Sequence, residues 1–199
     1  MNSTLIEKLK QRRTQYALGR NVSLDKDALT ALIKEAIRHT PSSFNSQSSR
    51  AVILFGEQSE KFWELTKQEL ARIVPPEAFE PTAAKLDSFA AGVGTVLFYE
   101  DQSVVTGLQE QFALYADNFP VWSEQAGGMA QFAVWLALTE AGVGASLQHY
   151  NPVADDATRQ EWNVPTSWKL RAQMPFGSHE GGFGEKGFMD DSQRFIVKG

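Results

Sequence analysis

Three short polar clusters in this chain carry groups capable of chemistry: Arg12, Arg13 and Thr14 in a row, the run PSSFNSQSSR over residues 41–50, and a terminal loop with Lys186. Guanidinium groups, a hydroxyl and an ammonium suit a phosphate monoester, because charge-assisted hydrogen bonds to its oxygens are short and strong. Ser42, Ser43, Asn45 and Gln47 offer both donors and acceptors, which can read the edge of a flat heterocycle. Each cluster also has a structural reading. Arg12 and Arg13 would complement a helix C-terminus, and the serine-rich run would be a polar connection.

Other chemistries have less support. The chain has no cysteine, which removes thiol nucleophiles, disulfide scaffolds and cysteine zinc sites. No G-x-S-x-G elbow accompanies the serines. His39, His149 and His179 show no i, i+4 partner of the metalloprotease kind, so no metal site is expected. His149 reads more readily as a hydrogen-bonded structural histidine than as a proton donor. Gly182, Gly184 and Gly187 match G-x-G-x-x-G after a strand, yet only residues 188–199 follow, too few for the helix and second strand of a dinucleotide fold. A mobile surface turn is the preferred reading, and any hard chemistry is expected to belong to a cofactor.

The hydrophobic pattern says what holds these groups. Thr4 and Glu7 have capping-box spacing and Leu5 and Leu9 share a face, predicting a helix over 4–11 that delivers Arg12 at its end. A second helix opens around Ser23, Asp25 and Asp27 and runs through Leu29, Leu32, Ile33, Ala36 and Ile37 toward Pro41. After the polar run, residues 51–55 read as a strand. Ser59 opens a third helix, and the prolines at 75, 76 and 81 predict an irregular connection before a strand over 95–99. Val105, Leu108, Phe112, Tyr115 and Phe119 step by three and four, as one helix with an aromatic stripe that is either core or the wall of a substrate site.

From Gln125 to Ala141 the only charge is Glu140, which predicts a helix buried on nearly every side at the centre of the domain. Residues 145–148 read as a short strand and 153–163 as a helix. Trp168, Leu170, Ala172 and Met174 alternate with Lys169, Arg171 and Gln173, the pattern of a half-buried strand. A last strand is expected over 195–197. No repeat or linker interrupts the chain, so one α+β domain over 1–199 is expected.

With 199 residues and 42% hydrophobic content the chain can bury a core unaided. Its net charge of −5, with basic residues in short pairs only, argues against a nucleic-acid surface. The first thirty residues lack the apolar stretch of a signal peptide or membrane span, so a soluble cytoplasmic protein is expected.

Taken together, RRTQY after a first helix, PSSFNSQSSR and ASLQHYNP resemble the nitroreductase family of flavin mononucleotide (FMN) enzymes over nearly the whole chain. GTVLFYED and the MPFG turn make it similar to the short subgroup named for fatty-acid repression. The resemblance implies an intertwined homodimer, a mixed or antiparallel sheet surrounded by helices, and two FMN sites at the dimer interface. It places Arg12, Thr14 and Arg13 at the phosphate and ribityl chain and brings Lys186 back to the phosphate. Ser42, Ser43, Asn45 and Gln47 would approach the flavin, some from the partner chain, and Gln148 and His149 would border the ring. Lys85 and Arg194 are weaker transfers.

Two departures matter. Many relatives carry a basic residue where this chain has Tyr16, and many have Pro-Trp where it has Ser48, Ser49 and Arg50. Cofactor binding is therefore more securely implied than reduction potential or substrate shape. The activity implied is electron transfer from NADH or NADPH, through FMN, to a small planar nitroaromatic or quinone-like acceptor by a ping-pong scheme. Phe112, Tyr115 and Phe119 are candidates for the acceptor wall. The rival reading is a flavin-binding regulatory or sequestering protein with incidental turnover.

Overall fold

Among the described residues five strands, β1 (Leu18–Gly19), β2 (Ser49–Phe55), β3 (Gly94–Asp101), β4 (Gly144–Ala145) and β5 (Trp168–His179), form an antiparallel sheet in the order β1-β5-β3-β2, with β4 also on β5. Around it lie α1 (Thr4–Gln11), α2 (Lys26–Arg38), α3 (Glu57–Ala71), α4 (Pro76–Ala90), α5 (Gln102–Gln111), α6 (Phe119–Glu140) and α7 (Asp155–Trp162). This computed structural model describes residues 4–199.

β3 is buried along its whole length because helices cover both faces of the sheet, which is why GTVLFY reads as a continuous apolar run instead of an alternation. Val96 and Phe98 face one core with Leu29 and Ile33 of α2 and Val134 and Leu138 of α6. Leu97 and Tyr99 face the other, with Phe62 and Trp63 of α3 and Leu86 and Phe89 of α4.

The strand expected from 168 to 174 is present but longer, and its even-numbered side chains do not share one face. Tyr99 pairs with Leu170 while Phe98 pairs with Ala172, so Arg171 is an extra residue on β5. That bulge reverses the pleat. Trp168 and Leu170 join the α3–α4 core, whereas Ala172, Met174 and Phe176 join the α2–α6 core.

The second helix starts at Lys26, within the stretch expected to open it, capped by Asp25, whose Oδ1 accepts from the Ala28 amide at 2.8 Å. Other expectations are corrected. The prolines do not break the chain: Pro75 caps α4, Pro76 occupies its first turn, where a missing amide costs nothing, and Pro81 lies inside a helix that buried Leu86 and Phe89 anchor. The aromatic stripe is not one helix. α5 ends before Phe112, whose φ of −125° and ψ of 64° leave the helical region; a 3-10 turn then spans Ala113–Asn118, where the Ala116 carbonyl accepts from Gln109 Nε2 at 3.0 Å, and Pro120 lies in the first turn of α6. α6 is buried only on the face of Ser123, Ala126, Gly127, Ala130, Val134 and Leu138; Val121, Met129 and Phe132 are exposed on its other side. β4 covers only the start of the 145–148 run, which ends in an isolated bridge between Gln148 and Gln173. Residues 195–197 form no strand: Phe195, Ile196 and Val197 are exposed, and a strand needs a ladder partner that no described strand offers them.

Close backbone approach makes one glycine testable. A Cβ on Gly177 would lie 2.3 Å from the Gly19 carbonyl oxygen, where β1 meets β5. Gly177→Ala is expected to lower unfolding stability by about 1–3 kcal/mol. Gly107→Ala, in the open interior of α5 with no neighbour within 4 Å, should raise it by about 0.5–1 kcal/mol. Urea midpoints at constant m-value measure both.

Candidate functional site

α1 stops where its sequence motif ends, with the Arg12 amide still bonded to the Lys8 carbonyl at 3.0 Å. The chain then runs extended beside β4. Thr14 makes a parallel bridge with Ala145, and the Gln15 amide donates to the Ala145 carbonyl at 2.9 Å. Buried Gln15 ties down the returning C-terminal segment by donating from Nε2 to the Gly181 carbonyl at 2.8 Å, and Arg13 donates to the Gly184 carbonyl at 2.7 Å. The Arg12 guanidinium lies 4.4 Å from the centre of the Trp135 ring. Burial, together with the neighbouring charge of Arg13, lowers the Arg12 pKa from its ordinary value. Neither arginine forms an ion pair with a carboxylate among the described residues. Two adjacent cations thus share one partly buried corner without a counter-ion, an arrangement that favours an anion.

Gln148 follows three residues after Ala145, exchanging backbone hydrogen bonds with Gln173 at 2.7 and 2.9 Å. Its Nε2 donates to Ser146 Oγ at 3.0 Å. Gln173, fully buried, accepts from the Tyr150 amide on Oε1 at 2.7 Å and donates to Asn151 Oδ1 at 3.1 Å, fixing the 148–151 backbone. His149 is exposed and forms no side-chain hydrogen bond among the described residues, which corrects the hydrogen-bonded structural reading. Lys85 on α4 places its ammonium 5.3 Å from the Tyr16 ring centre. A cation therefore stands next to Tyr16, where the resemblance would lead one to expect a basic side chain.

The 42–47 loop is a separate construction. The Ser42 hydroxyl accepts from the Gln47 amide at 2.9 Å, closing the loop. Phe44, Asn45 and Gln47 hold positive φ values of 57°, 50° and 49°. Such conformations persist only when surroundings enforce them. Here the enforcement is aromatic: the Phe44 ring lies 4.8 Å from Phe112, 5.4 Å from Phe119, 6.2 Å from Tyr115 and 6.3 Å from Trp122, centre to centre. The stripe foreseen on one helix is thus assembled across a broken one. Behind the loop, a cavity of about 390 Å³ lies between α2 and β2, lined by Lys34, Arg38, Ser42, Gln47, Arg50 and Trp168.

The structure therefore puts Arg12, Arg13 and Thr14 beside the 145–148 segment that carries Gln148, with Lys85 against Tyr16. It gathers Ser42, Ser43, Asn45 and Gln47 with Phe112, Tyr115 and Phe119 elsewhere. Lys186 is exposed with its ammonium 5.2 Å from the Phe188 ring, and Arg194 lies over Phe195; neither touches the Arg12 corner. His39 does have a carboxylate four residues earlier, at 3.2 Å from Glu35, but this exposed surface pair is shared with Arg38. Sequence reading missed Phe44, hidden in a run read as polar, and Trp122 and Trp135, whose roles depend on helix rotation.

A helix-flanked antiparallel sheet carrying an unpaired guanidinium corner, a buried amide beside it and an aromatic-lined loop defines an α+β protein suited to a flat, phosphorylated ligand. The chain belongs to the nitroreductase family, whose model matches residues 9–178. The nitroreductase homologues HBN1 and FRM2 of Saccharomyces cerevisiae are 35% and 31% identical, covering 94% and 83% of this chain and the same shares of their own. The structure of nitroreductase CinD from Lactococcus lactis with nicotinic acid matches at a TM-score of 0.91 and 56% identity, over 98% of this chain and 100% of that one. CinD is also solved with chloramphenicol and with 4-nitrophenol. An FMN-containing nitroreductase from Desulfitobacterium hafniense shares the fold at a TM-score of 0.73 and 14% identity, each chain covered in full at 100%.

Because Phe44 is held by four rings, Phe44→Ala is expected to cost about 1–3 kcal/mol, several aromatic pairs at about 0.5–1.5 kcal/mol each less what its exposed side loses. The 113–118 turn should become the first site of limited proteolysis; wild-type cleavage kinetics there would show that the rings do not hold the loop.

Proposed function

We propose that this chain is an FMN-dependent oxidoreductase, a single domain over 1–199 that works as a cytoplasmic homodimer. It takes two electrons as hydride from NADH or NADPH and passes them, in a ping-pong cycle, to a small nitroaromatic or quinone-like acceptor. The observation that carries this reading is the Arg12–Arg13 corner, two guanidiniums without a counter-ion among the described residues, beside the buried 144–148 segment. FMN, when bound, supplies the hydride and electron chemistry. The chain's own residues bind and orient it. Arg12, Arg13, Thr14 and Lys186 take the phosphate and ribityl chain, while Gln148 and His149 border the ring. Lys85 brings positive charge near Tyr16. Ser42, Ser43, Asn45 and Gln47 complete the site, and Phe112 and Tyr115, backed by Phe119, wall the acceptor. The aromatic ligands of CinD, two of them nitro compounds, support the acceptor class.

No hydrogen bond or ion pair among the described residues joins the Arg12 corner to the 42–47 loop. The homodimer reading resolves this by drawing the two halves of one site from different chains. Exposed Val121, Met129 and Phe132 on α6, and the exposed apolar residues of the C-terminal segment, support such an interface.

Anaerobic mixing of the FMN-loaded protein with NADH or NADPH tests the activity. Rapid bleaching of the flavin's visible absorption and reoxidation by 4-nitrophenol are expected; binding without reduction would assign a sequestering role instead. Mixed dimers test the shared site. Arg12→Ala and Asn45→Ala are each expected to weaken FMN binding at least about tenfold, the worth of a charge-assisted hydrogen bond. Co-refolding the two variants should restore one tight site per heterodimer, the other carrying both lesions. Proven heterodimers without recovered flavin would place both halves in one chain.

A further inference from the structure

β3 ends in a buried carboxyl that the proposed reaction does not use. Glu100 is 1% exposed and lies on the face of β3 that meets α6. Its Oε2 accepts from Ser48 Oγ at 2.6 Å and its Oε1 from Ser49 Oγ. A Cβ on Gly127 of α6 would stand 2.9 Å from Glu100 Oε1, so the helix has a glycine where the carboxyl needs room. The charged groups that act on it are Glu124 on α6 and Arg50 on β2. Both are engaged elsewhere, Arg50 with Asp101 at 3.2 Å and Glu124 with Arg171 of β5 at 2.7 Å.

A carboxyl in a core is expensive, and replacing it with a hydrophobic residue of similar volume is often neutral or stabilising. Its two partners explain its presence better than stability does. Ser48 and Ser49 are the first residues after the 42–47 loop, and the Ser48 carbonyl accepts from the Asp101 amide at 3.0 Å. The loop's three left-handed residues need restraint at both ends. The Phe44 ring cluster and the Ser42 hydroxyl act on one side; Glu100 acts on the other.

We propose that Glu100 is a positioning residue, anchoring the stem of the 42–47 loop through Ser48 and Ser49 so that Asn45 and Gln47 are held in place to meet the flavin. The second half of that statement rests on the reading of the loop as part of the FMN site. Burial raises the carboxyl's pKa above its ordinary value against the opposing serine bonds, and glutamine, with one acceptor oxygen and one donor nitrogen, can still bond both hydroxyls.

The test reads the loop and the flavin separately in the full-length protein. Amide hydrogen exchange at Asn45, Ser46 and Gln47, measured without FMN, reports anchoring; FMN titration reports the site. Glu100→Leu fills the same space without hydrogen bonding, and the double variant S48A/S49A leaves the carboxyl but removes its partners. Both are expected to speed exchange at the three amides about tenfold, with central β3 amides unchanged, and to weaken FMN binding in step. Glu100→Gln should restore slow exchange. Unchanged loop exchange in either disruptive variant, equal loosening of β3, or failure of Glu100→Gln to restore protection would overturn the proposal. Faster loop exchange with unaltered FMN affinity would support the anchor and instead remove the loop from the flavin site.

Discussion

Between Tyr99–Leu170 and Phe98–Ala172, β5 carries one residue more than β3, and the two hydrophobic cores depend on that mismatch. A regular strand would send Leu170 and Ala172 to the same side. With Arg171 inserted, one strand serves the α3–α4 core at its start and the α2–α6 core further along. The extra residue is itself put to use, because Arg171 reaches out to Glu124 of α6 at 2.7 Å. Every functional segment is then hung from this pair of strands: β1 and β4 pair with β5, Gln148 bridges to Gln173 on β5, and the stem of the 42–47 loop runs beside β3.

The site departs from what stability alone would select. Arg12 and Arg13 repel one another, the 42–47 loop spends conformational energy at three positions, and Glu100 places a titratable group in the interior. Such local conflicts with an otherwise self-consistent fold are where binding function is expected. The surrounding scaffold is correspondingly rigid, with Trp63, Phe62 and Phe89 fully buried behind the sheet.

Much of this was legible in the residues. Helical spacing, a cap at Asp25 and continuous apolar runs report local geometry, and α1, α2, β2 and β3 followed from them. The family motifs located both polar clusters. What stayed hidden required knowledge of neighbours. The bulge at Arg171 exists only in relation to β3. The prolines of α4 look like breakers until Leu86 and Phe89 are seen to pin the helix. Phe44 sits in a run of serines and amides, and only the convergence of Phe112, Phe119 and Trp122 makes it the loop's anchor. The 195–197 run has β-type residues without a described edge to join.

Gly127 carries a consequence for how this sequence can drift. The helix itself would gain from alanine there, since glycine is among the poorest residues for a helix interior. The carboxyl of Glu100 occupies the volume that the methyl group would need. Positions 100 and 127 are therefore sterically joined where α6 packs on the sheet: a descendant can acquire a side chain at 127 only after the residue at 100 shortens, and order of substitution becomes a matter of geometry.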